Sequence, residues 1–195
     1  FDNIWIQPAS GDAGGSLGAA LYCWHDDKKN LRKISKQDDM KGSYLGPEYS
    51  QDQIEKDLKD LGAVFKTLSE EHLIEKVSSD LANNDAIGWF QGRMEFGPRA
   101  LGSRSIIGNP QSSEMQKNLN LKVKYRESFR PFAPSVLKED LSEWFDMDCE
   151  SPYMLLVAKI NQNKQIEMTR DEKNLFGIDK LNIRRSSVPA VTHVD

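Results

Sequence analysis

The sequence predicts an α+β protein, or an irregular α/β one, because helical and extended segments mix without the strict strand–helix alternation of a doubly wound sheet. The observations behind this prediction are two periodic helices at 51–61 and 70–83, a short apolar strand at 86–90, and a long apolar run at 153–160. The chain has 195 residues, enough for one buried core or for one domain with part of a neighbour.

The first half of the chain contains the clearest helix signals. Residues 1–24 are predicted to form a short strand, a glycine-rich turn and the start of an apolar helix, and the charged segment that follows is predicted to be a linker. Ser50 is placed to cap the helix at 51–61, with Gln53 in the capping-box position and Gly62 as the stop. Ser69 is placed in the same way to cap the second helix.

The second half mixes short elements. After the strand at 86–90, Ser113 is predicted to cap a helix over 114–121. Residues 129–137 are predicted to be extended but too rich in proline for a regular central strand. The apolar runs 153–160 and 188–194 are predicted to be buried strands.

Composition argues against a membrane-spanning protein and against a disulfide-rich or CxxC metal-binding one. No apolar run approaches the roughly 20 residues of a membrane-spanning helix, and Cys23 and Cys149 are too few for a disulfide framework or a CxxC metal site. We therefore expect a cytoplasmic protein.

Residues 93–130 contain eight basic and three acidic residues, a net charge of +5, while the rest of the chain sums to -9. Such a local excess predicts an anionic ligand, either a phosphate compound or a nucleic acid.

A first basic loop follows the strand at 86–90. Four glycines and a proline in residues 88–106 let the backbone approach a ligand closely, and Arg93, Arg99 and Arg104 supply planar forks that match phosphate oxygens. The alternative is that the glycines only make turns and that the arginines pair with Glu95 or solvent. The set together favours an oxyanion-binding loop.

A second basic segment covers 122–135. In an extended chain Lys122, Lys124 and Arg126 would point the same way, as would Ser128 and Arg130, so that cations line one face. A solvated edge strand is the alternative, and it is favoured for Lys122 and Lys117.

These two motifs carry a family resemblance. GRMEFGPRALGSRS at 92–105 and RESFRPFAP at 126–134 closely resemble the carbamoyltransferases of the nodulation-protein and antibiotic-tailoring family. Shorter matches are YLGP at 44–47, SPYM at 151–154 and PAVTHVD at 189–195, so the resemblance extends over nearly the whole chain.

The resemblance implies a domain organisation. Residues 1–27 would be the tail of an N-terminal actin/sugar-kinase-like domain and 28–43 a linker. Residues 44–195 would be a C-terminal domain with a YrdC-like twisted open sheet flanked by helices, truncated at its C-terminus.

The resemblance also implies an ATP-dependent O-carbamoyltransferase. The C-terminal domain would form carbamoyl-adenylate from carbamoyl phosphate and ATP with Mg2+, and the N-terminal domain would pass the carbamoyl group to a hydroxyl of a small-molecule acceptor. Arg99, Lys124 and Arg130 are the positions most closely matched to catalytic contacts. Further contacts to substrate or nucleotide are expected from Arg93, Gly97, Arg104, Arg126, Ser135 and His193. The partners would be these small molecules and the N-terminal domain, without a membrane.

A metal is implied only for the N-terminal domain. Asp12 resembles one ligand of a divalent metal such as iron, whose other ligands would lie before Phe1, and it could equally be a turn or N-cap residue.

Two other functions remain open from the residues alone. One is a nucleic-acid-binding YrdC-like module, which the basic segment would allow. The other is a non-catalytic interaction domain that keeps the fold without the chemistry. The acidic remainder of the chain and the placement of the arginines in glycine loops make the nucleic-acid module the less favoured.

Overall fold

The computed structural model describes residues 6–191 and confirms the α+β class. Within those residues it has seven α-helices and one two-stranded antiparallel sheet. In chain order the elements are α1 (Asp12–Tyr22), α2 (Gln51–Asp60), α3 (Glu70–Ala82), β1 (Ile87–Phe90), β2 (Arg104–Ile107), α4 (Met115–Asn118), α5 (Leu141–Trp144), α6 (Arg170–Lys173) and α7 (Ile178–Leu181). The larger twisted sheet of a YrdC-like fold stays a prediction. In the described part of the chain no helix is long and apolar enough to cross a membrane.

The two periodic helices begin at the serines that the sequence predicts. Ser50 Oγ accepts a hydrogen bond from the Gln53 backbone N–H at 3.3 Å, and Ser69 Oγ accepts one from His72 N–H at 3.4 Å. These side chains satisfy one of the four N–H groups that each helix start leaves without an intrahelical partner. The Gln53 side chain does not complete a capping box, because its Nε2 donates to Asp57 Oδ1 at 2.6 Å, one helical turn ahead.

Several expected elements take another form. The run 153–160 is not a strand, since Met154 has φ of +56° and only Ile160 makes an isolated antiparallel bridge, to Phe145. The helix predicted to follow Ser113 begins at Met115 with Glu114 as its N-cap, and it continues as a π-helical turn over Leu119–Val123. The described part of 188–194 forms a turn rather than a strand, and residues 192–195 lie outside the described residues.

The chain divides into two compact units. Unit 1 contains residues 6–68, Gly88–Ser105 and Ser151–Leu155, and unit 2 contains Ser69–Ile87, Ile106–Glu150 and residues 156–191. The domain boundaries expected from the family resemblance, after residues 27 and 43, stay predictions.

The units are stabilised by different interactions. In unit 2 an apolar cluster of Met115, Leu119 and Ala190 is buried, and Phe132 packs against it. Gly108 lies against this cluster, because a Cβ there would come within 2.8 Å of the Met115 sulfur. Among the described residues, the buried apolar side chains all belong to unit 2. Unit 1 instead buries polar residues, which hold its loops by hydrogen bonds.

Candidate functional site

Glu95 fixes the arginine loop, defined here as residues 91–104 of unit 1. The residue is 6% exposed, and its Oε1 accepts hydrogen bonds from the backbone N–H groups of Leu101 and Ser103, each at 2.7 Å, and of Arg104 at 3.3 Å. Burial alone would raise the pKa of the Glu95 carboxyl, but these donors outweigh burial and hold the pKa below its usual value. The protein's own carboxylate therefore occupies backbone donors that a glycine-rich loop could offer to a phosphate.

Arg104 closes the base of the arginine loop. Its Nη1 donates to Gln91 O at 2.8 Å and Ser103 O at 2.9 Å, and its Nη2 donates to Gly92 O at 3.1 Å. Its guanidinium carbon lies 3.4 Å from the centroid of the Phe90 ring, a cation–π contact. Arg104 thus donates most of its guanidinium N–H groups to carbonyl oxygens of the loop. Its contact with substrate stays a prediction.

Arg93 is held at one edge of its guanidinium. Nη1 donates to Gly46 O at 3.1 Å, and Nε lies 3.5 Å from Glu48 Oε2. The Arg93 and Glu48 side chains are 54% and 53% exposed, so this ion pair contributes little to stability. Arg93 retains guanidinium N–H groups that could serve a ligand.

Arg99 is the cation of the arginine loop that the fold leaves available. It is exposed, and its side chain makes no hydrogen bond or ion pair with any of residues 6–191. Gly97, two positions earlier, has φ of +108°, and a Cβ there would lie 2.8 Å from Ala9 Cβ. Glycine is needed at this point because the chain turns in a left-handed conformation while it passes close to residue 9.

A neighbouring segment, residues 43–47, supports the arginine loop by backbone pairing. Ser43 O accepts from Phe96 N–H at 2.6 Å, and Gly46 N–H donates to Met94 O at 2.9 Å. The Tyr44 hydroxyl donates to Leu101 O at 2.6 Å. These contacts hold the arginine loop at residues 94, 96 and 101.

Asp38 and Tyr153 fix the backbone just before that supporting segment, at residues 40 and 42. The Tyr153 hydroxyl donates to Asp38 Oδ2 and accepts from Gly42 N–H at 3.1 Å, while Met40 N–H donates to Asp38 Oδ1 at 3.0 Å. The hydrogen bond from Tyr153 is the main reason that the pKa of Asp38 lies below its usual value. Burial, and then the Asp38 carboxylate, raise the pKa of Tyr153 to about 12.

Asn120 organises the part of the second basic segment that follows the π-helical turn Leu119–Val123, residues 124–135 of unit 2. Asn120 is fully buried, and its Nδ2 donates to Ser128 O at 3.0 Å and to Arg130 O at 2.9 Å. Its Oδ1 accepts from Arg126 Nε at 2.6 Å. Gln116 Nε2 adds a further hydrogen bond to Arg130 O at 3.1 Å. Two amide side chains thus fix the path of a segment that has no regular secondary structure.

The single face of cations predicted for this segment is wrong. Lys122 lies in the π-helical turn Leu119–Val123, and Tyr125 has φ of +49°, so residues 122–126 are not an extended chain. Arg126 turns back to Asn120 and lies with its guanidinium carbon 5.0 Å from the Phe132 ring centroid. It therefore does not share a face with Lys124.

The remaining predicted residues of unit 2 are exposed. Lys124 makes no side-chain hydrogen bond or ion pair within the described residues, and Ser135 lies in the irregular stretch before α5. Arg130 Nε lies 3.1 Å from Glu127 Oε2 in an ion pair whose two side chains are more than half exposed. Lys124 and Arg130 are thus accessible to an anion, as Arg99 is in unit 1.

The described residues 6–191 do not by themselves form a metal site. Asp12 is exposed in the first turn of α1, after Gly11 as the N-cap. Among residues 6–191, no group of three or more histidine, cysteine or acidic side chains is placed to hold a metal ion. The ligand role of Asp12 stays a prediction, and His193 lies outside the described residues.

Comparison of the sequence with known proteins shows which family the chain belongs to. A model of the carbamoyltransferase C-terminus matches residues 78–195, which is more than half of the chain. The chain belongs to this family. The carbamoyltransferase motifs of the arginine loop and of residues 124–135 both fall inside the matched region.

Three relatives illustrate the range of this carbamoyltransferase family. An uncharacterised protein of Synechocystis sp. is 56% identical over the whole of this chain and 32% of its own length. Nodulation protein NolO of Bradyrhizobium diazoefficiens is 38% identical over 84% of this chain and 30% of its own length. The 3'-hydroxymethylcephem-O-carbamoyltransferase of Streptomyces clavuligerus is 31% identical over the whole chain and 30% of its own length. The chain thus spans less than a third of the length of these curated relatives.

Sequence reasoning missed two organising residues, Glu95 and Asn120. From the sequence, Glu95 is predicted only as a partner for arginines, although it is the one acidic residue in the arginine loop. A single acid in a loop rich in glycine and arginine was a usable signal. Asn120 gave no signal, since its partners are backbone carbonyls eight and ten residues away.

Proposed function

We propose that the protein is an O-carbamoyltransferase in which this chain forms carbamoyl-adenylate from carbamoyl phosphate and ATP, for transfer to a hydroxyl of a small-molecule acceptor. The observation that carries the proposal is Arg99, which stands exposed and unpaired among the described residues in a loop fixed by Glu95. The loop lies within residues 78–195, which match the carbamoyltransferase C-terminus, and this match supports carbamoyl transfer as the reaction.

The exposed cations have an electrostatic task in this proposal. Arg99 in unit 1, and Lys124 and Arg130 in unit 2, bind phosphate groups of the two phosphate-bearing substrates. A positioned guanidinium forms short, charge-assisted hydrogen bonds with phosphate oxygens and stabilises the charge that develops on a transferring phosphoryl group. Because backbone N–H groups of the arginine loop already bind Glu95, side chains rather than these amides supply the phosphate contacts.

The proposed reaction has three steps: release of carbamate, formation of carbamoyl-adenylate, and transfer to the acceptor. Water cleaves the P–O bond of carbamoyl phosphate to give phosphate and carbamate, and a carbamate oxygen then attacks the α-phosphorus of ATP. The α–β phosphoanhydride bond breaks, pyrophosphate leaves with its bound Mg2+, and carbamoyl-adenylate remains. Transfer to the acceptor hydroxyl releases AMP.

Calorimetric titration of the intact protein with carbamoyl phosphate tests the assignment of the cations. We expect Arg99→Ala and Arg130→Ala each to weaken binding by about 1.5–3 kcal/mol, the scale of a hydrogen bond to a charged group. Arg32→Ala is the matched control, because Arg32 is exposed in unit 1 outside the loop and its removal should leave affinity unchanged.

Two results would count against the proposal. Unchanged affinity in both variants would remove these arginines from the site. Saturable binding of single-stranded RNA without any binding of carbamoyl phosphate or ATP would favour the nucleic-acid module instead.

A further inference from the structure

One buried amide contacts three alternate residues of the segment that carries Arg130. Asn120 is fully buried, and its Nδ2 donates to the carbonyl oxygens of Ser128 and Arg130. Its Oδ1 accepts from Arg126 Nε at 2.6 Å, and its backbone carbonyl accepts from Arg126 N–H at 3.0 Å. Both donor hydrogens of the Asn120 amide are therefore engaged by the protein itself, and the amide has none left for a ligand.

The position of Asn120 is set by the apolar core of unit 2. Asn120 lies in the π-helical turn Leu119–Val123, directly after Leu119, which belongs to the buried apolar cluster. Gln116 lies four residues earlier in the same helical stretch, and its Nε2 donates to the Arg130 carbonyl at 3.1 Å. Two amide side chains thus bind one carbonyl oxygen, and they anchor the backbone of Arg130 to the core.

Arg126 connects the Asn120 amide to the same apolar cluster. Its guanidinium carbon lies 5.0 Å from the centroid of the Phe132 ring, and Phe132 packs against the cluster. A planar guanidinium that donates to a buried amide and also lies over an aromatic ring is fixed in direction and in plane. Arg126 is half-buried, whereas Lys124 and Arg130 are exposed. The fold therefore uses Arg126 and leaves the other two cations to the surface.

We propose that Asn120 and Arg126 are positioning residues for Arg130, and that they fix the backbone from which the Arg130 guanidinium reaches a phosphate group. Arg126 acts through Arg130 in this inference and does not itself bind the phosphate. The inference rests on the proposed function, which gives Arg130 its ligand.

The benefit of such positioning is entropic. The Arg130 side chain is more than half exposed, and its Nε pairs only with the exposed carboxylate of Glu127 at 3.1 Å. Without a fixed backbone, binding a phosphate would have to order the main chain as well as this long side chain. A backbone ordered in advance removes that part of the cost, and the ligand then orders only the side chain.

A double-mutant cycle on the carbamoyl phosphate affinity of the intact protein separates positioning from direct contact. Arg126→Met keeps an unbranched side chain next to Phe132 but removes the guanidinium, and we expect it to weaken binding about 5- to 10-fold. In a protein that already carries Arg130→Ala, the same substitution should change the affinity by less than about 2-fold, because two residues that act as one unit are not additive. Calorimetric titration measures the four affinities.

Three further variants sharpen the cycle. Asn120→Asp keeps an acceptor for Arg126 but removes both donors, and it should weaken binding only while Arg130 is present. Gln116→Met removes a donor to the Arg130 carbonyl from a half-buried position and should act in the same way, so the cycle also works where the fully buried site does not tolerate change. Lys122→Met is the matched control, because it removes an exposed positive charge from the same π-helical turn and should leave affinity unchanged. Far-UV circular dichroism checks that each variant is folded.

The outcomes distinguish this inference from the proposed function. A loss in Arg126→Met that is as large without Arg130 as with it would show that Arg126 contacts the ligand directly, and would overturn the inference. Wild-type affinity in Arg126→Met and Gln116→Met would also overturn it, while the proposed function would stand if Arg130→Ala still weakens binding. If Arg130→Ala binds carbamoyl phosphate as tightly as the wild type, or the wild type does not bind it, the proposed role of Arg130 fails and the positioning role fails with it.

Discussion

Single residues decide whether the arginine loop keeps its shape, and Glu95 is the buried acceptor among them. It binds three backbone N–H groups of the loop, and Ser103, which bears one of them, is 4% exposed. A buried donor that loses its acceptor costs about 1–3 kcal/mol. The conformation that presents Arg99 therefore depends on a carboxylate that itself contacts no proposed substrate.

We expect Glu95→Ala to lower the free energy of unfolding by about 3 kcal/mol, since it leaves several donors without an acceptor. Glu95→Gln keeps an acceptor oxygen and should cost less, about 1–2 kcal/mol, with weaker carbamoyl phosphate binding in both variants. Urea unfolding at neutral pH measures the difference. A Glu95→Ala protein as stable as the wild type would contradict the role of Glu95.

The depressed pKa of Glu95 fixes the direction of its pH dependence. Its stabilising contribution is present above the unfolded pKa of about 4.3 and is lost as pH falls through the lower folded value. The stability gap between the wild type and Glu95→Gln should therefore close on acidification below about pH 4.3.

Among elements, the ones controlled by local sequence were predicted best. Helices α2 and α3 begin after Ser50 and Ser69 because a side-chain cap depends on residues only three positions apart.

The prediction of a strand at 153–160 is wrong because an apolar pattern does not specify pairing partners. The first residues of this run contact Asp38 through Tyr153 in unit 1, and its last residue bridges Phe145 in unit 2. The cation face at 122–126 failed because a buried amide, Asn120, draws Arg126 back toward the helix.

The contact between Tyr153 and Asp38 ties two distant segments of unit 1 together, and it should respond to alkaline pH. The folded pKa of Tyr153, about 12, lies above the unfolded value of about 10. Its contribution is therefore fully present below about pH 10 and is lost as pH rises through about 12. We expect Tyr153→Phe to cost about 1.5 kcal/mol at pH 8, the lower end for a hydrogen bond to a charged group, because Asp38 is exposed.

Urea unfolding of the wild type and Tyr153→Phe between pH 8 and pH 12 checks this expectation. The difference between them should shrink toward the upper end of the range. Tyr125→Phe is the control, since Tyr125 is 86% exposed and its loss should change stability at neither end. A difference between wild type and Tyr153→Phe that stays constant over the whole range would contradict a titrating contact.

At the scale of the whole molecule, the sequence predicted the class and the family, and the structure added how the chain is divided. The α+β class and carbamoyltransferase family membership are confirmed. Neither unit is a continuous stretch of sequence, because unit 1 takes in Gly88–Ser105 and Ser151–Leu155. Composition and periodicity are local signals and do not specify such long-range associations.

Exposed apolar side chains also matter at this scale. Leu31, Ile34 and Val64 are each at least 90% exposed, and the chain spans less than a third of the length of the relatives described above. Singly exposed apolar side chains are ordinary on protein surfaces, so these three do not by themselves mark an interface, whereas the short span relative to those relatives bears on how activity is measured. Activity is therefore best measured in the intact protein.

Pyrophosphate release by the intact protein, measured without any hydroxyl acceptor, is the decisive test of carbamoyl-adenylate formation. We expect ATP to yield pyrophosphate only when carbamoyl phosphate is also present, and we expect Arg99→Ala to reduce this release while Arg32→Ala does not. Carbamoyl transfer to an acceptor with no consumption of ATP, or consumption that yields ADP and phosphate instead of pyrophosphate, would contradict carbamoyl-adenylate as the intermediate.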